Sequence, residues 1–314
     1  MMYQMGGLAM RTAMAVSCVA VTGALSTSCA SQAAAPTTKY YVSVGDSYSV
    51  GYQPKPTSGA TSGFTGVVAS ATGLQLENFG CGGATTSSML HTTGTCGSNG
   101  FGPPAATHVG PSTPNQSQIQ AADAFISAHR GRIGLVTMSI GGNDVTGCVV
   151  ARDPVSCVLG TVPSIETNVT MLVRDLRSAL TPEESRVPIV GLTYPDVVLG
   201  QWVNDGGVPT FPPSAANKAL ASESVLAFSG YINPALKEAY ESGQAKFIDV
   251  TQLTGAYINL SATTSIDLPP LGTITVPAAV AQVCKYTWYC DLGDIYANTT
   301  GYTFIGNLIV RALR

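Results

Sequence analysis

Residues 39–47 read KYYVSVGDS. Aromatic and β-branched side chains dominate this run, which favours a β-strand, and Gly45 with Asp46 marks a turn at its end. The run is mostly apolar instead of alternating with polar residues, so it indicates a strand that is covered on both faces. Ser47 therefore follows a buried strand directly, at the point where the chain turns.

Four further strand-like runs follow, and helical stretches separate them. The runs are LQLENFG (74–80), RIGLVTMSIGGND (132–144), VPIVGLTYP (187–195) and AKFIDVT (245–251). The helical stretches are 115–131, 164–180, 213–243 with a break near Pro234, and 300–313. In the second stretch the residues that share one face at helical spacing are Ile165, Val169, Leu172, Val173, Leu176 and Leu180. This alternation predicts one three-layer α/β/α domain around a five-stranded parallel sheet.

The composition argues against two broad classes of protein. Only 11% of residues are charged, the net charge is −3, and the 15 Lys and Arg residues are scattered, so nothing favours nucleic-acid binding. Beyond the N-terminus, no stretch reaches the roughly 18 apolar residues that a transmembrane span needs. We therefore expect neither a nucleic-acid partner nor a transmembrane span.

The N-terminus has the pattern of an export signal. Arg11 supplies a positive charge, an apolar run of about a dozen residues follows, and the small residues of STSCASQAAAP come next. We expect a signal peptide over residues 1–35 and a mature domain over residues 36–314. Two alternatives stay open, namely lipid attachment at Cys29 and a buried N-terminal helix.

Export makes disulfide bonds the expected state of the cysteines. Those beyond the signal form three pairs that are close in sequence, and the simplest connectivity is Cys81–Cys96, Cys148–Cys157 and Cys284–Cys290. Six cysteines allow 15 pairings, so locality alone does not fix the connectivity. Metal binding is the alternative, but there is no CxxC motif and histidine is scarce. We therefore expect no metal site.

Polar residues follow three of the predicted strands, where parallel sheets place their sites. Ser47 can be a nucleophile whose own N–H faces an oxyanion, or its turn can be an ordinary helix N-cap. In NFGCGGATT, residues 78–86, the glycines let a backbone N–H approach a ligand, or they form a plain turn. Asn143 can offer a side-chain amide, or it can form an Asx-turn.

Together these features resemble the SGNH (GDSL) hydrolase family of esterases and lipases. GDSYS (45–49), GCGGATT (80–86) and GGND (141–144) are similar to three of its sequence blocks, and DIYANTTGY (294–302) is similar to its last block. The resemblance spans about residues 40–314. The short disulfides and the signal resemble the secreted actinobacterial-type branch. The resemblance implies hydrolysis of carboxylic esters without a metal or an organic cofactor.

The resemblance also implies a role for each matching residue. Ser47 would be the nucleophile that carries an acyl-enzyme. The N–H groups of Ser47 and Gly83, together with the Asn143 side chain, would form the oxyanion hole. The family's catalytic histidine falls on Tyr296, and its acid position holds no carboxylate, so the nearest candidate is Asp294.

Tyr296 is a poor general base. With a reference pKa of about 10, forming tyrosinate at pH 7 costs roughly 4 kcal/mol. We therefore expect a severely impaired or inactive hydrolase. One alternative is rescue by His91 or His108, which lie in the loop after the glycine block, whereas His129 is expected on a surface helix. Another is a protein that binds acyl esters or glycans at the cell envelope without hydrolysing them.

The surroundings of the site can also be predicted. We expect the loops 52–66, 195–213 and 255–290 to wall the pocket. The apolar residues of the last loop suit a lipophilic ester, or they pack beneath a long loop. The expected partner is a small-molecule or lipid ester, and the expected state is a monomer that is secreted or held at the cell envelope.

Overall fold

The computed structural model describes residues 38–55, 63–93 and 115–314. Its strands are, in chain order, β1 (Tyr40–Gly45), β2 (Gln75–Asn78), β3 (Ile133–Ser139), β4 (Ile189–Leu192), β5 (Asn204–Asp205), β6 (Val208–Pro209), β7 (Lys246–Ile248), β8 (Thr263–Leu268) and β9 (Gly272–Pro277). Five of them form one parallel sheet in the order β2-β1-β3-β4-β7. The predicted five-stranded parallel sheet is confirmed.

Helices alternate with these strands along the chain. They are α1 (Ser47–Val50), α2 (Gly63–Thr72), α3 (Thr86–His91), α4 (Gln118–Ala128), α5 (Gly142–Val145), α6 (Pro154–Ala179), α7 (Ala215–Ala227), α8 (Asn233–Ser242), α9 (Val250–Leu253), α10 (Ala278–Tyr286), α11 (Tyr289–Leu292) and α12 (Thr299–Ala312). Short 3₁₀ segments lie at Thr146–Val150, Pro182–Glu184 and Val197–Trp202.

The helices cover both faces of the sheet. On one face, α2 and α12 pack over Tyr41 and Leu135. On the other face, α4, α6 and α8 pack over Val42 and Met138. Successive residues of a strand point to opposite faces, and both Tyr41 and Val42 are fully buried. Both faces of the sheet are therefore covered. The predicted three-layer α/β/α sandwich is therefore confirmed.

Helix α6 shows both the strength and the limit of the apolar pattern. The six residues predicted to share one face are all buried against the sheet. The helix begins at Pro154, earlier than the stretch predicted from residue 164. Asp153 caps it by accepting a hydrogen bond from the Ser156 N–H at 3.0 Å, and proline is favoured in a first turn.

The predicted break near Pro234 is also present. Helices α7 and α8 are joined by a π-helical segment, Phe228–Ile232, that ends two residues before this proline. Proline lacks an N–H and its ring crowds the preceding turn, so regular α-helical bonding cannot run through it. The segment lies beside the candidate site, because Phe228 and Ile232 line the cavity described below.

Residues 255–290 are more regular than the predicted loop. Strands β8 and β9 form an antiparallel hairpin, and α10 follows it. Leu268, Val276 and Val280 are buried in a cluster of their own with Val203. The apolar residues here pack beneath the hairpin, which agrees with the alternative that they pack beneath a long loop. Among the described residues of this range, only Tyr289 lines the candidate cavity.

Two of the predicted disulfides are present. Cys148 is bonded to Cys157, and Cys284 is bonded to Cys290. Cys96, and with it the predicted Cys81–Cys96 bridge, lies outside the described residues, as does the whole N-terminal segment over residues 1–35.

The described ranges hold no candidate for a membrane span or a metal site. There, no helix combines the length and the apolar character that crossing a bilayer requires. The same ranges contain no group of three or more His, Cys, Asp or Glu side chains that could hold a metal ion.

Candidate active site

Ser47 sits on a tight turn between β1 and α1. Gly45 has φ +141°, and a Cβ there would lie 2.2 Å from the Ser139 carbonyl oxygen, so only glycine fits without rearrangement. Asp46 caps α1 by accepting the Tyr48 N–H at 2.9 Å, which leaves the Ser47 hydroxyl out of the cap. Ser47 is 4% exposed and lines a cavity. The turn thus supplies a cap and places a serine at the cavity surface.

Asn143 follows β3 on a second glycine turn. Gly141 has φ +109°, and the Asn143 Nδ2 donates to the Ala84 carbonyl at 2.8 Å. The amide is therefore directed across to the glycine block instead of closing a local Asx-turn. An amide nitrogen has two hydrogens, so Nδ2 keeps one for a ligand. Asn143 lines the same cavity as Ser47.

Asp144 fixes the glycine block against this turn. Its carboxylate accepts the Thr86 N–H at 2.9 Å and the Thr86 hydroxyl at 2.7 Å, at the start of α3. Asn168 donates to the same Thr86 hydroxyl at 3.0 Å. The Asn143 turn and the glycine block are thus joined by several hydrogen bonds between segments that are far apart in sequence.

Gly83 lies in this block with φ +78°, a conformation that favours glycine. Its N–H donates to no acceptor among the described residues, so it is available to a ligand. The backbone N–H of Ser47 is unpaired in the same sense. Gly83 is exposed and is not among the residues that line the cavity, so of the predicted oxyanion residues the cavity brings together Ser47 and Asn143.

The cavity has a volume of about 330 Å³ and a mainly apolar lining. Its walls come from residues 142–158, 194–198 and 220–232, together with Tyr289 and Ile295. Among the described residues of this lining, only Asp46 and Glu223 are of a charged type, and both are acidic. The combination of a mainly apolar lining with a few polar groups is typical of a small-molecule site.

The described lining includes only a small part of the predicted pocket walls, and residues 56–62 of the first loop lie outside the described residues. Residues 195–213 contribute only Pro195, Val197 and Val198, and residues 52–66 contribute none of the described lining. Most of the wall comes from 142–158 and 220–232, which the strand pattern did not indicate. These segments meet only when α6 and α7 pack together, so local sequence gives no signal for the cavity.

Tyr296 lies beside the turn that carries Ser47. Its ring is 4.3 Å from the Tyr52 ring and 5.9 Å from the Tyr48 ring, measured between centroids. Burial raises the pKa of Tyr296, an interaction with the Ser47 side chain lowers it, and the nearby carboxylates of Asp46 and Asp294 raise it further. Tyr296 is therefore a neutral phenol within reach of Ser47.

Asp294 serves the backbone of its own loop. Its carboxylate accepts the Tyr296 N–H at 2.9 Å, which is the pattern of an Asx-turn. Burial raises the pKa of Asp294, and this hydrogen bond lowers it. The carboxylate therefore shapes the turn that carries Tyr296.

Neither described histidine lines the cavity that contains Ser47. His129 stacks on Phe125 and lies 4.7 Å from Tyr40, at the start of β1. Ser47 follows the other end of that strand, roughly 20 Å away at about 3.3 Å per residue. His91 is exposed at the end of α3 and is not part of the cavity lining. His108 lies outside the described residues.

A second buried carboxyl lies behind the cavity wall. Asp196 is fully buried and accepts the Ser224 hydroxyl at 2.9 Å and the Val198 N–H at 3.2 Å. Burial raises the pKa of Asp196 to about 7 from 3.8, while these hydrogen bonds lower it. The folded protein therefore holds a proton on Asp196 at a pH where the unfolded chain has lost it.

This shift predicts a pH-dependent stability change for Asp196→Asn. Because the folded-state pKa is raised, the stability that protonated Asp196 contributes is complete below about pH 4 and is lost as the pH rises towards 7. At pH 8 the asparagine variant avoids a buried charge, so we expect its free energy of unfolding to exceed that of the native protein by about 1–2 kcal/mol.

At pH 4, where most of this stability is still present, we expect no such gain from Asp196→Asn. Urea unfolding at both pH values measures the difference, and Asp267→Asn on exposed β8 is the matched control. A gain of equal size at both pH values would contradict the assignment of the effect to Asp196 ionisation.

Comparison with known proteins identifies the family. A model of the GDSL-like lipase/acylhydrolase family matches residues 43–267, well over half of the chain. The matched range contains Ser47, Gly83 and Asn143, and it ends before Tyr296. No curated protein matches the chain.

Several solved structures are similar in fold. An extracellular lipase from Streptomyces rimosus is 19% identical, covers 68% of this chain and 81% of its own, and has a TM-score of 0.41. Phospholipase A1 from Streptomyces albidoflavus NA297 is 18% identical, with 69% and 81% covered and a TM-score of 0.39.

The lipase Lip_vut3 from a goat rumen metagenome is 14% identical, with 88% and 97% covered and a TM-score of 0.48. These likenesses are too distant to bear on substrate or mechanism. The family match, together with the five-stranded sheet, places this chain in the GDSL-like lipase/acylhydrolase family.

Proposed function

We propose that the protein is a hydrolase of neutral, lipophilic carboxylic esters, and that Tyr296 at the position of the family's histidine impairs it. One observation carries the proposal: Ser47 and Asn143 line the same cavity, whose lining is otherwise mainly apolar. A serine hydroxyl and an amide donor are the groups that acyl transfer needs, and an apolar cavity suits an acyl chain.

The reaction follows from these positions. The Ser47 Oγ attacks the ester carbonyl, and the oxyanion accepts hydrogen bonds from the Ser47 N–H and the Asn143 side chain, with the Gly83 N–H as the further donor that the family resemblance implies. The alcohol leaves, the acyl group stays on Ser47, and water then releases the acid. Each attack requires loss of a proton from the Ser47 hydroxyl or from water, and a neutral phenol is a poor acceptor for it.

The charges around the cavity favour an uncharged substrate. Asp46, Asp294 and Glu223 lie in or beside the site, and the cavity lining contains no Lys, Arg or His among the described residues. Two like charges about 4 Å apart repel by roughly 4 kcal/mol at an effective dielectric constant near 20. An anionic ligand is therefore disfavoured, whereas a neutral ester is not, and the same repulsion assists release of the acid product.

The alternative function is binding of acyl esters or glycans without turnover. It is motivated by Tyr296, because no described histidine reaches Ser47. The apolar lining favours an acyl chain over a glycan, since a glycan needs many polar partners. The two functions share one pocket and differ in whether Ser47 becomes acylated.

The setting of this reaction is part of the proposal. We place the mature chain from residue 36 outside the cytoplasm, after removal of a signal over residues 1–35 or with a lipid on Cys29. The two disulfides support an oxidising compartment. The secreted actinobacterial-type branch of the family and a monomeric state complete the proposal.

Ester hydrolysis by the purified protein tests the proposed function. With p-nitrophenyl esters of increasing chain length, we expect slow turnover that favours medium over acetyl chains and that Ser47→Ala abolishes. A rate that Ser47→Ala leaves unchanged would contradict the hydrolase. Saturable binding of the esters with no Ser47-dependent turnover would favour the alternative.

A further inference from the structure

Tyr194 contacts both the turn that carries Ser47 and the turn that carries Asn143. None of the sequence blocks that resemble the family includes it. It lies two residues after β4, at the carboxyl edge of the sheet, and it is 8% exposed. It lines the cavity next to Ser47 and Asn143. The rule that points to Ser47 and Asn143, a polar residue just after a buried strand, applies equally to Tyr194.

The first contact is with the Ser47 turn. The Tyr194 hydroxyl donates to the Asp46 Oδ2 at 2.5 Å, and both groups are buried. The Asp46 Oδ1 accepts the Tyr48 N–H at 2.9 Å, so the two oxygens of one carboxylate bind two different elements. Since Asp46 immediately precedes Ser47, the hydroxyl of Tyr194 limits how far the Ser47 turn can move.

The second contact is with the Asn143 turn. A Cβ added to Gly142 would lie 3.1 Å from the Tyr194 ring, so the ring lies directly against this glycine, next to Asn143. The ring also meets the Tyr48 ring edge to face at 5.0 Å. The Thr251 hydroxyl donates to the Tyr194 carbonyl at 2.8 Å, which holds the backbone of this residue in place.

We propose that Tyr194 is a positioning residue that holds the Ser47 turn and the Asn143 turn at a fixed separation, through its hydroxyl on Asp46 and its ring against Gly142. The proposal rests on the proposed function, because it concerns the geometry that this function needs. Catalytic constellations lose much of their effect when such spacing is off by about 1 Å.

The environment of Asp46 makes this role dependent on pH. Burial raises the pKa of Asp46 to about 7, and the hydrogen bond from Tyr194 lowers it. The titratable groups that interact with Asp46 are all neutral or acidic, namely Tyr48, Tyr194, Tyr240, Tyr296, Tyr302 and Asp144. When Asp46 gains a proton it becomes a weaker acceptor for both Tyr194 and the Tyr48 N–H, so the Ser47 turn loosens as the pH falls.

Tyr194→Phe separates the two contacts, because it keeps the ring and removes only the hydroxyl. Tyr41→Phe is the matched control: Tyr41 is fully buried and its hydroxyl bonds Thr137 at 2.7 Å, inside the core. The rate at which a fluorophosphonate modifies Ser47 would be measured from pH 5 to 9. Each variant would be prepared alone and combined with Tyr296→His, so that a slow native site does not hide the effect.

We expect Tyr194→Phe to lower the rate about tenfold near pH 7, the effect of one hydrogen bond to a charged group, and to move its pH midpoint upward. Tyr41→Phe should change neither quantity. An equal loss at every pH, or the same loss in both variants, would show a general structural effect and overturn the positioning role.

Nuclear magnetic resonance gives a readout that does not depend on reactivity. The carboxyl carbon signal of Asp46, assigned with Asp46→Asn, should titrate at higher pH in Tyr194→Phe, and the Ser47 N–H and Asn143 amide signals should shift. If Ser47 reacts in no variant, the hydrolase proposal fails while these signals still decide the role of Tyr194. Signals that stay in place in Tyr194→Phe would overturn it.

Discussion

Tyr296→His should raise ester hydrolysis by about 10²–10⁴-fold. Loss of the histidine in a Ser-His-Asp hydrolase of another fold costs on the order of 10⁶ in turnover, and loss of its acid alone costs about 3 × 10⁴. Only part of this factor should return, because the nearest carboxylate, Asp294, is bonded to the Tyr296 N–H and not placed to orient an imidazole.

The pH profile distinguishes this gain from a general loosening of the site. Protonation of Asp46 affects every variant in this range, so the comparison is with Tyr296→Phe. An imidazole with an ordinary pKa near 6.5 adds a rise in rate between about pH 5.5 and 7.5 that Tyr296→Phe does not show. The measurement is kcat/KM on a p-nitrophenyl ester across this range. Tyr296→Phe is the control for removing the phenol alone.

The double variant Tyr296→His with Ser47→Ala should have no activity above background. A gain that survives Ser47→Ala would mean that the new histidine acts on its own. No gain at all in a folded Tyr296→His protein would mean that position 296 is not the base position, and the reading of the last sequence block would be wrong.

Asn143→Ala in the Tyr296→His background should lower kcat by about 10²–10³-fold, the cost of one oxyanion-hole donor. The Asn143 amide has one hydrogen on the Ala84 carbonyl and one left for the oxyanion, so alanine removes a donor that acts in the transition state. KM should change little, because the ester carbonyl needs this donor less than the oxyanion does.

Asn168→Ala is the control for the structural share of this effect. Asn168 also braces the glycine block, through the Thr86 hydroxyl at 3.0 Å, but it is not part of the cavity lining. We expect its kcat to stay within about threefold of the parent, since a single neutral hydrogen bond contributes little. Equal losses in both variants would assign Asn143 a bracing role only.

The sheet could be predicted from the sequence because its strands are apolar on both faces. Tyr41 and Val42 point to opposite helix layers. A strand with one face in solvent would carry a polar residue at one of these two positions. The buried face of α6 could be predicted because its apolar residues recur at helical spacing. Its start could not be predicted, because Gly160 and Pro163 are poor helix formers, and Asp153, Pro154 and the tertiary contacts set the boundary instead.

The candidate site was predictable only where one residue sits at a strand end. Ser47 and Asn143 met that condition, and the structure brings them to one cavity. The cavity wall arises where residues 142–158 meet α7 and the π-helical segment that directly follows it, much further along the chain, so no local pattern describes it. Tyr194 also sits after a strand, but an aromatic residue there reads equally well as core.

The Cys148–Cys157 bridge has a consequence for how the pocket can change. The bridge closes the segment that runs from the Asn143 turn into α6. This segment forms part of the cavity wall with Val149, Val150 and Val155. This wall is tied at both ends and contributes no strand to the sheet. The residues between the two cysteines can therefore be replaced by a different sequence of another length while the sheet stays unchanged. Such a replacement would change which ligands the cavity accepts.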